Sequence, residues 1–205
     1  MLPDRVAVTT GGRNARRNPQ RTAATAAALM IGIALVAFIA TLTNGMKVSN
    51  REAIEEQVAA DFVVTSLDGY TPFVAAAGDA LAASSTPELV TNVRSGIGEV
   101  DDGGTEISGI DPDTIAAAYN FRWSEGDESV LATLGRANAI ASSNYAEDHD
   151  LEVGSTITIL SSDGREATVT IVGLYEPPPF YPLLDSLSIS NELFDSMWER
   201  GRNRW

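Results

Sequence analysis

The sequence predicts an α+β protein: one N-terminal transmembrane helix that continues into a stalk, then a mixed α/β extracytoplasmic domain with antiparallel hairpins. Three observations lead to this prediction. A run of 25 uncharged residues, Thr22 to Met46, follows an arginine-rich segment. The rest of the chain is acidic. It also contains short stretches in which apolar and polar residues alternate around glycine-containing turns, the pattern of half-buried strands.

Charge is distributed unevenly along the 205 residues, whose formal net charge is −14. Residues 1–21 carry five arginines and one aspartate, a net charge of +4. Residues 47–205 carry nine Lys/Arg against 27 Asp/Glu, a net charge of −18. An acidic surface repels phosphate backbones, so we expect no nucleic acid partner. The absence of cysteine excludes disulfides and thiolate nucleophiles.

The uncharged run has the length of a membrane-spanning helix. A helix rises about 1.5 Å per residue, so roughly 20 residues span a hydrocarbon core about 30 Å thick. A secretory signal has only about 7–15 apolar residues before a small-x-small cleavage site. The distal end of this run, FIATLTNGMK, has no clean site of that kind. We interpret residues 22–46 as an uncleaved transmembrane helix, with an export signal and a buried soluble helix as the alternatives.

The positive-inside rule predicts the orientation of that helix. Lysine and arginine accumulate in the cytoplasmic loops of membrane proteins. Residues 1–21 should therefore be a cytoplasmic basic segment, with residues 47–205 outside the cell (plasma) membrane. The arginines predicted to anchor the helix at the membrane interface are Arg16, Arg17 and Arg21.

Small residues recur on the predicted membrane helix at spacings of four or a multiple of four. They are Ala24, Ala28, Gly32 and Ala40. Small side chains allow helix backbones to approach closely in lipid, where packing replaces the hydrophobic driving force. We expect this stripe to pack against other membrane helices, although alanine is common throughout the chain.

After the membrane helix, residues 47–60 should form a stalk helix and residues 61–205 the extracytoplasmic domain. Ile54 and Val58 lie four residues apart, as on one helical face. The run Asp61–Ser66 is rich in strand-forming residues and predicts a strand. Asp111, which precedes a proline and a helical stretch, is expected to act as a helix cap.

Two hairpins are predicted within the domain. Strands Thr156–Leu160 and Ala167–Val172 flank a turn centred on Asp163-Gly164, the clearest local signal in the chain. A second strand pair should flank the acidic turn at Asp101-Asp102.

No residue pattern predicts catalysis, a cofactor or a metal site, and we expect the chain not to be an enzyme. His149 is the only histidine, in a run EDHD that could bind a divalent cation but is more typical of a solvated turn. The chain lacks a phosphate-binding G-x-x-x-x-G-K-[ST] loop. The segment PPPFYPLL either docks a partner or covers the core of the domain.

The order of these pieces resembles the FtsX/MacB-like permease subunits of ABC transporters. The resemblance covers roughly residues 13–190 and includes the MacB-like extracytoplasmic core domain. The sequences that carry it are, in order, ARRNPQRTAATAAALMIGIALVAFIATL, REAIEEQVAADFVVTS, ISGIDPDTIAAAY, AIASSNYAEDHDLEVGSTITI and GREATVTIVGLYE.

This resemblance implies a non-catalytic permease component. Such permeases pair with an ABC ATPase subunit, whose ATP-driven dimerisation moves the membrane helices, the stalks and the extracytoplasmic domains. The family serves export, lipoprotein release or the control of cell-wall enzymes. The implied partners are an ABC ATPase subunit, further permease helices and the membrane.

The chain departs from the family at its C-terminal end. Family members return to the membrane with further helices, whereas this chain stops after a basic tail. It therefore reads as a truncated permease, a fragment or one piece of a split permease. The alternatives are a single-pass membrane-anchored binding or sensor domain and an exported soluble protein.

Overall fold

The computed structural model describes residues 19–67, 71, 73–101, 103–178, 183–198 and 202–203. The chain divides into two compact units, Met1–Ser49 and Asn50–Trp205. A long apolar helix is followed by a mixed α/β domain, which confirms the predicted α+β class.

Helix α1 (Pro19–Gln57) begins in the first unit and ends in the second. Proline suits the first helical position, since the amide hydrogen that it lacks would have no partner within the helix there. The residues that follow are mainly alanine, leucine and other good helix formers. Beyond Gln57, Val58 leaves the helix and forms an isolated antiparallel bridge with Tyr119.

The second unit contains short helices and strands. The helices are α2 (Ala75–Ala82), α3 (Ile115–Ala118), a 3-10 helix (Glu128–Thr133), α4 (Ser143–Asp148) and α5 (Asn191–Met197). The strands are β1 (Phe73–Val74), β2 (Arg94–Val100), β3 (Gly103–Ile110), β4 (Trp123–Glu125), β5 (Asn138–Ser142), β6 (Thr156–Ser161), β7 (Glu166–Tyr175), β8 (Leu187–Ser190) and β9 (Arg202–Asn203).

Six strands pair in a closed, barrel-like ring. Going round it, β2 pairs with β3, β3 with β8, β8 with β5, β5 with β7, β7 with β6, and β6 with β2 again. The β3–β8 and β5–β7 pairs are parallel and the others antiparallel. Strand β4 adds to β7, while β9 links β2 to β1. Closing the ring pairs strand edges that would otherwise be open to other chains.

Two hydrophobic clusters form the core. The barrel cluster consists of Val100, Ile107, Ala139, Ala141, Tyr145, Ala146, Ile157, Ile159, Val169, Ile171, Leu174, Leu187, Ile189, Leu193, Phe194, Met197 and Trp198. The junction cluster consists of Val93, Ile110, Ile115, Tyr119, Leu131, Leu134, Ile140, Tyr175 and Leu184. Strands β3, β5 and β7 contribute to both clusters, so one set of strands supports two cores.

Helix α5 packs closely on β3 at Gly109. A Cβ atom at this position would lie 2.8 Å from Asn191 Oδ1 and 2.8 Å from Phe194 Cβ and Cγ. Side chains do not approach so closely, so the contact requires glycine. Phe194 in turn stacks on Trp198, with ring centroids 4.3 Å apart. Gly109 thus allows α5 to close one side of the barrel cluster.

Both predicted hairpins are confirmed. Strands β6 and β7 pair antiparallel, and Gly164 in the turn between them has a φ of 77°, a conformation that favours glycine. Strands β2 and β3 pair antiparallel on either side of Asp101, while Asp102 lies outside the described residues.

One local prediction is wrong. Residues 61–66 form no strand, because no described strand lies alongside to complete the hydrogen bonds that a strand requires. Asp111 makes the hydrogen bonds expected of a cap, although α3 itself begins only at Ile115. Its carboxylate accepts from Asp113 N at 3.2 Å, and its carbonyl accepts from Ile115 N at 2.9 Å.

Candidate functional site

Helix α1 exposes apolar side chains along the part of the helix that lies in the first unit. Residues 19–49 form the one helix in the described ranges that is long and apolar enough to cross a membrane, and its most apolar stretch is not buried. Its exposed large side chains are Leu29, Met30, Ile31, Ile33, Leu35, Val36, Phe38, Ile39, Leu42, Met46 and Val48. Water disfavours such a surface by about 25 cal/mol per Å², whereas hydrocarbon accommodates it.

The predicted packing stripe lies on this exposed helix. Ala24, Ala28, Gly32 and Ala40 are all exposed. A Cβ atom added at Gly32 would meet no atom within 4 Å. The stripe is therefore accessible within this chain, and its role in packing stays a prediction.

Of the predicted interface anchors, only Arg21 lies within the described residues. It is exposed in the first turns of α1, and its carbonyl oxygen accepts a hydrogen bond from Thr25 Oγ1 at 3.0 Å. Arg16 and Arg17 precede the described part of the chain. Their role as anchors stays a prediction.

The last turn of α1 is held to the junction cluster by hydrogen bonds within the second unit. Gln57 is 3% exposed, and its Oε1 accepts a hydrogen bond from the Tyr119 hydroxyl at 2.8 Å. The Gln57 carbonyl accepts from Asn120 N at 2.8 Å, and Ala59 N donates to Ala118 O at 2.9 Å. Main chain and side chain together fix the end of the helix.

Charged side chains around this helix end are exposed and add little to its attachment. Arg122 Nη1 lies 4.0 Å from Glu56 Oε2, and both side chains are more than half exposed. Arg51 Nε donates to Glu55 Oε1 at 2.7 Å, a hydrogen bond that raises the pKa of Arg51. Exposed ion pairs are screened by water and contribute little. The buried bond between Gln57 and Tyr119 is therefore the stronger attachment.

The Tyr119 ring belongs to a group of aromatic rings that contact one another. The Tyr119 and Phe121 rings meet edge to face at 4.8 Å, and Phe121 meets Tyr175 in the same way at 5.5 Å. Trp123 stacks on Phe121 at 5.0 Å. Burial raises the pKa values of Tyr119 and Tyr175, so both hydroxyls stay protonated at neutral pH and act as donors.

The segment after the proline-rich run joins the same cluster. The Tyr175 hydroxyl donates to Asp185 O at 2.9 Å. The Asp185 carboxylate, which is buried, accepts from Ser95 Oγ at 2.8 Å and Ser108 Oγ at 3.0 Å. Leu184 is buried and Leu183 partly buried against the cluster, as expected of a segment that covers the core. Phe180 and Tyr181 lie outside the described residues.

The histidine of the EDHD run, considered as a cation ligand, packs against its own helix. His149 follows α4 at the C-cap position, with its ring stacked on Tyr145 at 4.0 Å and its Nδ1 2.9 Å from Tyr145 O. Asp101 has a φ of 50° in the turn between β2 and β3. Within the part of the chain that the structure describes, no group of three or more His, Asp or Glu could hold a metal ion.

Sequence reasoning missed the attachment at Gln57, Tyr119 and Phe121. A signal for part of it is present in YNFRW, where aromatic residues at 119, 121 and 123 alternate as on one side of an extended segment. No comparable signal marks Gln57, because glutamine near a helix end is ordinarily exposed. Its burial depends on a partner 62 residues away.

A family model matches most of the chain. The model for the MacB-like periplasmic core domain matches residues 22–196. A search of curated proteins found no match.

Two solved structures are similar to the chain at low identity. One is a domain of a Porphyromonas gingivalis protein described as a candidate permease, with 13% identity, a TM-score of 0.43, and coverage of 63% of this chain and 57% of that one. The other is the extracellular domain of the noncanonical ABC-type transporter YknZ from Gram-positive bacteria, with 13% identity, a TM-score of 0.42, and coverage of 65% and 70%. Because both TM-scores are below 0.5 and both sequence identities are 13%, the family assignment rests on the family model alone.

Proposed function

Because the chain belongs to the MacB-like periplasmic core domain family, we propose that it is a non-catalytic permease component of an ABC transporter. The observation that carries the proposal is the family match over residues 22–196, which includes both the exposed apolar helix and the domain that follows it.

The proposed organisation follows charge and hydropathy. Residues 1–21 lie in the cytoplasm, 22–46 cross the plasma membrane, 47–60 form the stalk, and 61–205 lie outside. The +4 charge of the first segment and the −18 charge of residues 47–205 support this orientation. Arg16, Arg17 and Arg21 anchor the helix at the cytoplasmic interface, and the stripe from Ala24 to Ala40 packs against further permease helices.

The proposed action is coupling. An ABC ATPase subunit moves the membrane helices, and the stalk passes that movement to the extracytoplasmic domain for export or mechanotransmission. The buried hydrogen bond from Tyr119 to Gln57 supports this role, because it attaches the helix end to the domain core rather than to an exposed loop. Breaking such a bond leaves a buried polar group unpaired, at a cost of about 1–3 kcal/mol.

Affinity extraction tests the proposed partners. The tagged chain is extracted from its own membranes in mild detergent, and the proteins that accompany it are identified by mass spectrometry. We expect an uncleaved chain together with an ABC ATPase and a second polypeptide that carries permease helices. Recovery of the uncleaved chain alone would contradict the proposal and indicate an anchored binding or sensor domain. A soluble chain that starts near residues 40–46 would indicate an export signal.

A matched pair of variants tests the packing stripe in the same experiment. Gly32→Leu places a bulky side chain on the stripe, and Ala34→Leu places the same side chain about 200° away around the helix. Both positions are exposed within the chain, so neither change should disturb its own fold. We expect Gly32→Leu to reduce recovery of the permease helices about tenfold and Ala34→Leu to leave recovery unchanged. Equal loss in both variants would contradict a role for the stripe.

A further inference from the structure

We propose that a buried path of side chains couples the end of α1 to the segment Leu183–Ser186. The inference rests on the proposed function, since coupling matters only if the helix end is displaced. The two ends of the path are far apart in sequence, but each is hydrogen-bonded to a tyrosine of the junction cluster.

The first half of the path runs from the helix end into the cluster. The Tyr119 hydroxyl donates to Gln57 Oε1 at 2.8 Å, and the Tyr119 ring meets Phe121 at 4.8 Å. Main-chain bonds on both sides of Tyr119 hold residues 118–120 to residues 57–59. A displacement of Gln57 must therefore either move Tyr119 or break these bonds.

The second half runs from the cluster to the segment after the proline-rich run. Phe121 meets the Tyr175 ring edge to face at 5.5 Å, and the Tyr175 hydroxyl donates to Asp185 O at 2.9 Å. Asp185 is tied further to β2 and β3, because its carboxylate accepts from the hydroxyls of Ser95 and Ser108. Its amide also donates to Ser108 Oγ at 2.9 Å.

The two buried hydroxyls distinguish this path from ordinary packing. Tyr119 and Tyr175 are each 1% exposed, and a phenylalanine would fill either space without a polar atom to satisfy. Each hydroxyl instead makes a hydrogen bond at one end of the path, Tyr119 to the last residue of α1 and Tyr175 to the segment at Asp185. In the barrel cluster, by contrast, the Tyr145 hydroxyl lies 3.2 Å from Thr105 Oγ1, a residue of strand β3.

Hydrogen exchange on the full chain in detergent tests the path without the ATPase. Gln57→Leu removes the acceptor of the Tyr119 hydroxyl at similar side-chain volume. We expect amide exchange over residues 183–186 to accelerate about tenfold, with exchange over β6 unchanged. Tyr119→Phe, which breaks the same bond from the other side, should give the same result and serves if Gln57→Leu does not fold. Tyr145→Phe is the matched control and should leave residues 183–186 unchanged.

Reciprocity and non-additivity sharpen the test. Coupling between two sites acts in both directions, so Tyr175→Phe should accelerate exchange at the Asn120 amide, which donates to Gln57 O. The double variant Gln57→Leu/Tyr175→Phe should accelerate residues 183–186 by less than the product of the single effects. Unchanged exchange at 183–186 in both helix-end variants, or a uniform acceleration over all peptides, would overturn the path. Either result would leave co-extraction with an ATPase unaffected, so the two proposals can fail separately.

Discussion

The barrel cluster and the junction cluster differ in what they connect. The barrel cluster gathers side chains from the ring of strands and from α4 and α5, and its Tyr145 hydroxyl interacts within the domain at Thr105. The junction cluster receives the end of α1 through Tyr119 and the segment at Asp185 through Tyr175. One core therefore closes the ring of strands, and the other also holds the last turn of α1 within the second unit.

The largest effect is expected when a buried side chain of either cluster is truncated to alanine. Phe194→Ala in the barrel cluster should cost about 3–5 kcal/mol and Leu134→Ala in the junction cluster about 2–5 kcal/mol of unfolding free energy. Both residues are at most 1% exposed. Denaturant titration measures these costs, and hydrogen exchange locates them.

We expect Phe194→Ala to loosen α5 first, because Phe194 packs α5 on β3 and stacks on Trp198, and Leu134→Ala to loosen residues 118–121 first. If both variants loosen the same peptides to the same extent, the two clusters are one cooperative core and the distinction between them is wrong.

A smaller effect is expected from adding one side-chain atom at the close contact between β3 and α5. Gly109→Ala places a Cβ atom 2.8 Å from two Phe194 atoms, and overpacking of this kind costs about 1–3 kcal/mol. Gly104→Ala, in the same strand, is the control, because a Cβ atom there meets nothing within 4 Å. Thermal unfolding should separate the two variants. A Gly109→Ala variant as stable as the Gly104→Ala variant would contradict the close packing described for α5.

The last expected effect, which grows with pH, is a loss of stability at high pH that belongs to the junction cluster. Burial raises the pKa values of Tyr119 and Tyr175 in the folded chain above about 10, the ordinary value in an unfolded one. The folded state thus holds these protons more tightly. The stabilisation is fully present below about pH 10 and is lost as pH rises towards the raised pKa values.

Denaturant titrations at increasing pH measure this loss. The free energy of unfolding should fall above pH 10 by about 1.4 kcal/mol per pH unit for each tyrosine. Tyr175→Phe should remove its share of that slope. A free energy that stays constant between about pH 9 and 11 would show that these hydroxyls are not buried as described.

Local patterns were sufficient to predict the elements that depend on neighbouring residues. The uncharged run predicted a helix because length and apolar composition are properties of the segment itself. The Asp163-Gly164 turn predicted the β6–β7 hairpin because its two strands are adjacent in sequence. The predicted strand at Asp61–Ser66 is wrong because local composition alone does not make a strand. Strand-forming residues do so only where a partner strand is available.

The remaining features depend on contacts between distant residues. The parallel pairs β3–β8 and β5–β7 join strands separated by other elements, and no local pattern specifies such partners. Gln57 is likewise buried only because Tyr119 lies against it. The candidate site was therefore predictable as a helix, but not as a particular pair of side chains.

Cysteine labelling in intact cells tests the central claim, a membrane helix with the acidic domain outside. The chain has no cysteine, so one introduced residue is the only target for a maleimide that cannot cross membranes. Ser162→Cys lies in the exposed turn between β6 and β7, and Thr10→Cys lies in the basic N-terminal segment. We predict that Ser162→Cys is labelled in intact cells and Thr10→Cys only after lysis. Labelling of Thr10→Cys in intact cells, or of Ser162→Cys only after lysis, would contradict the account.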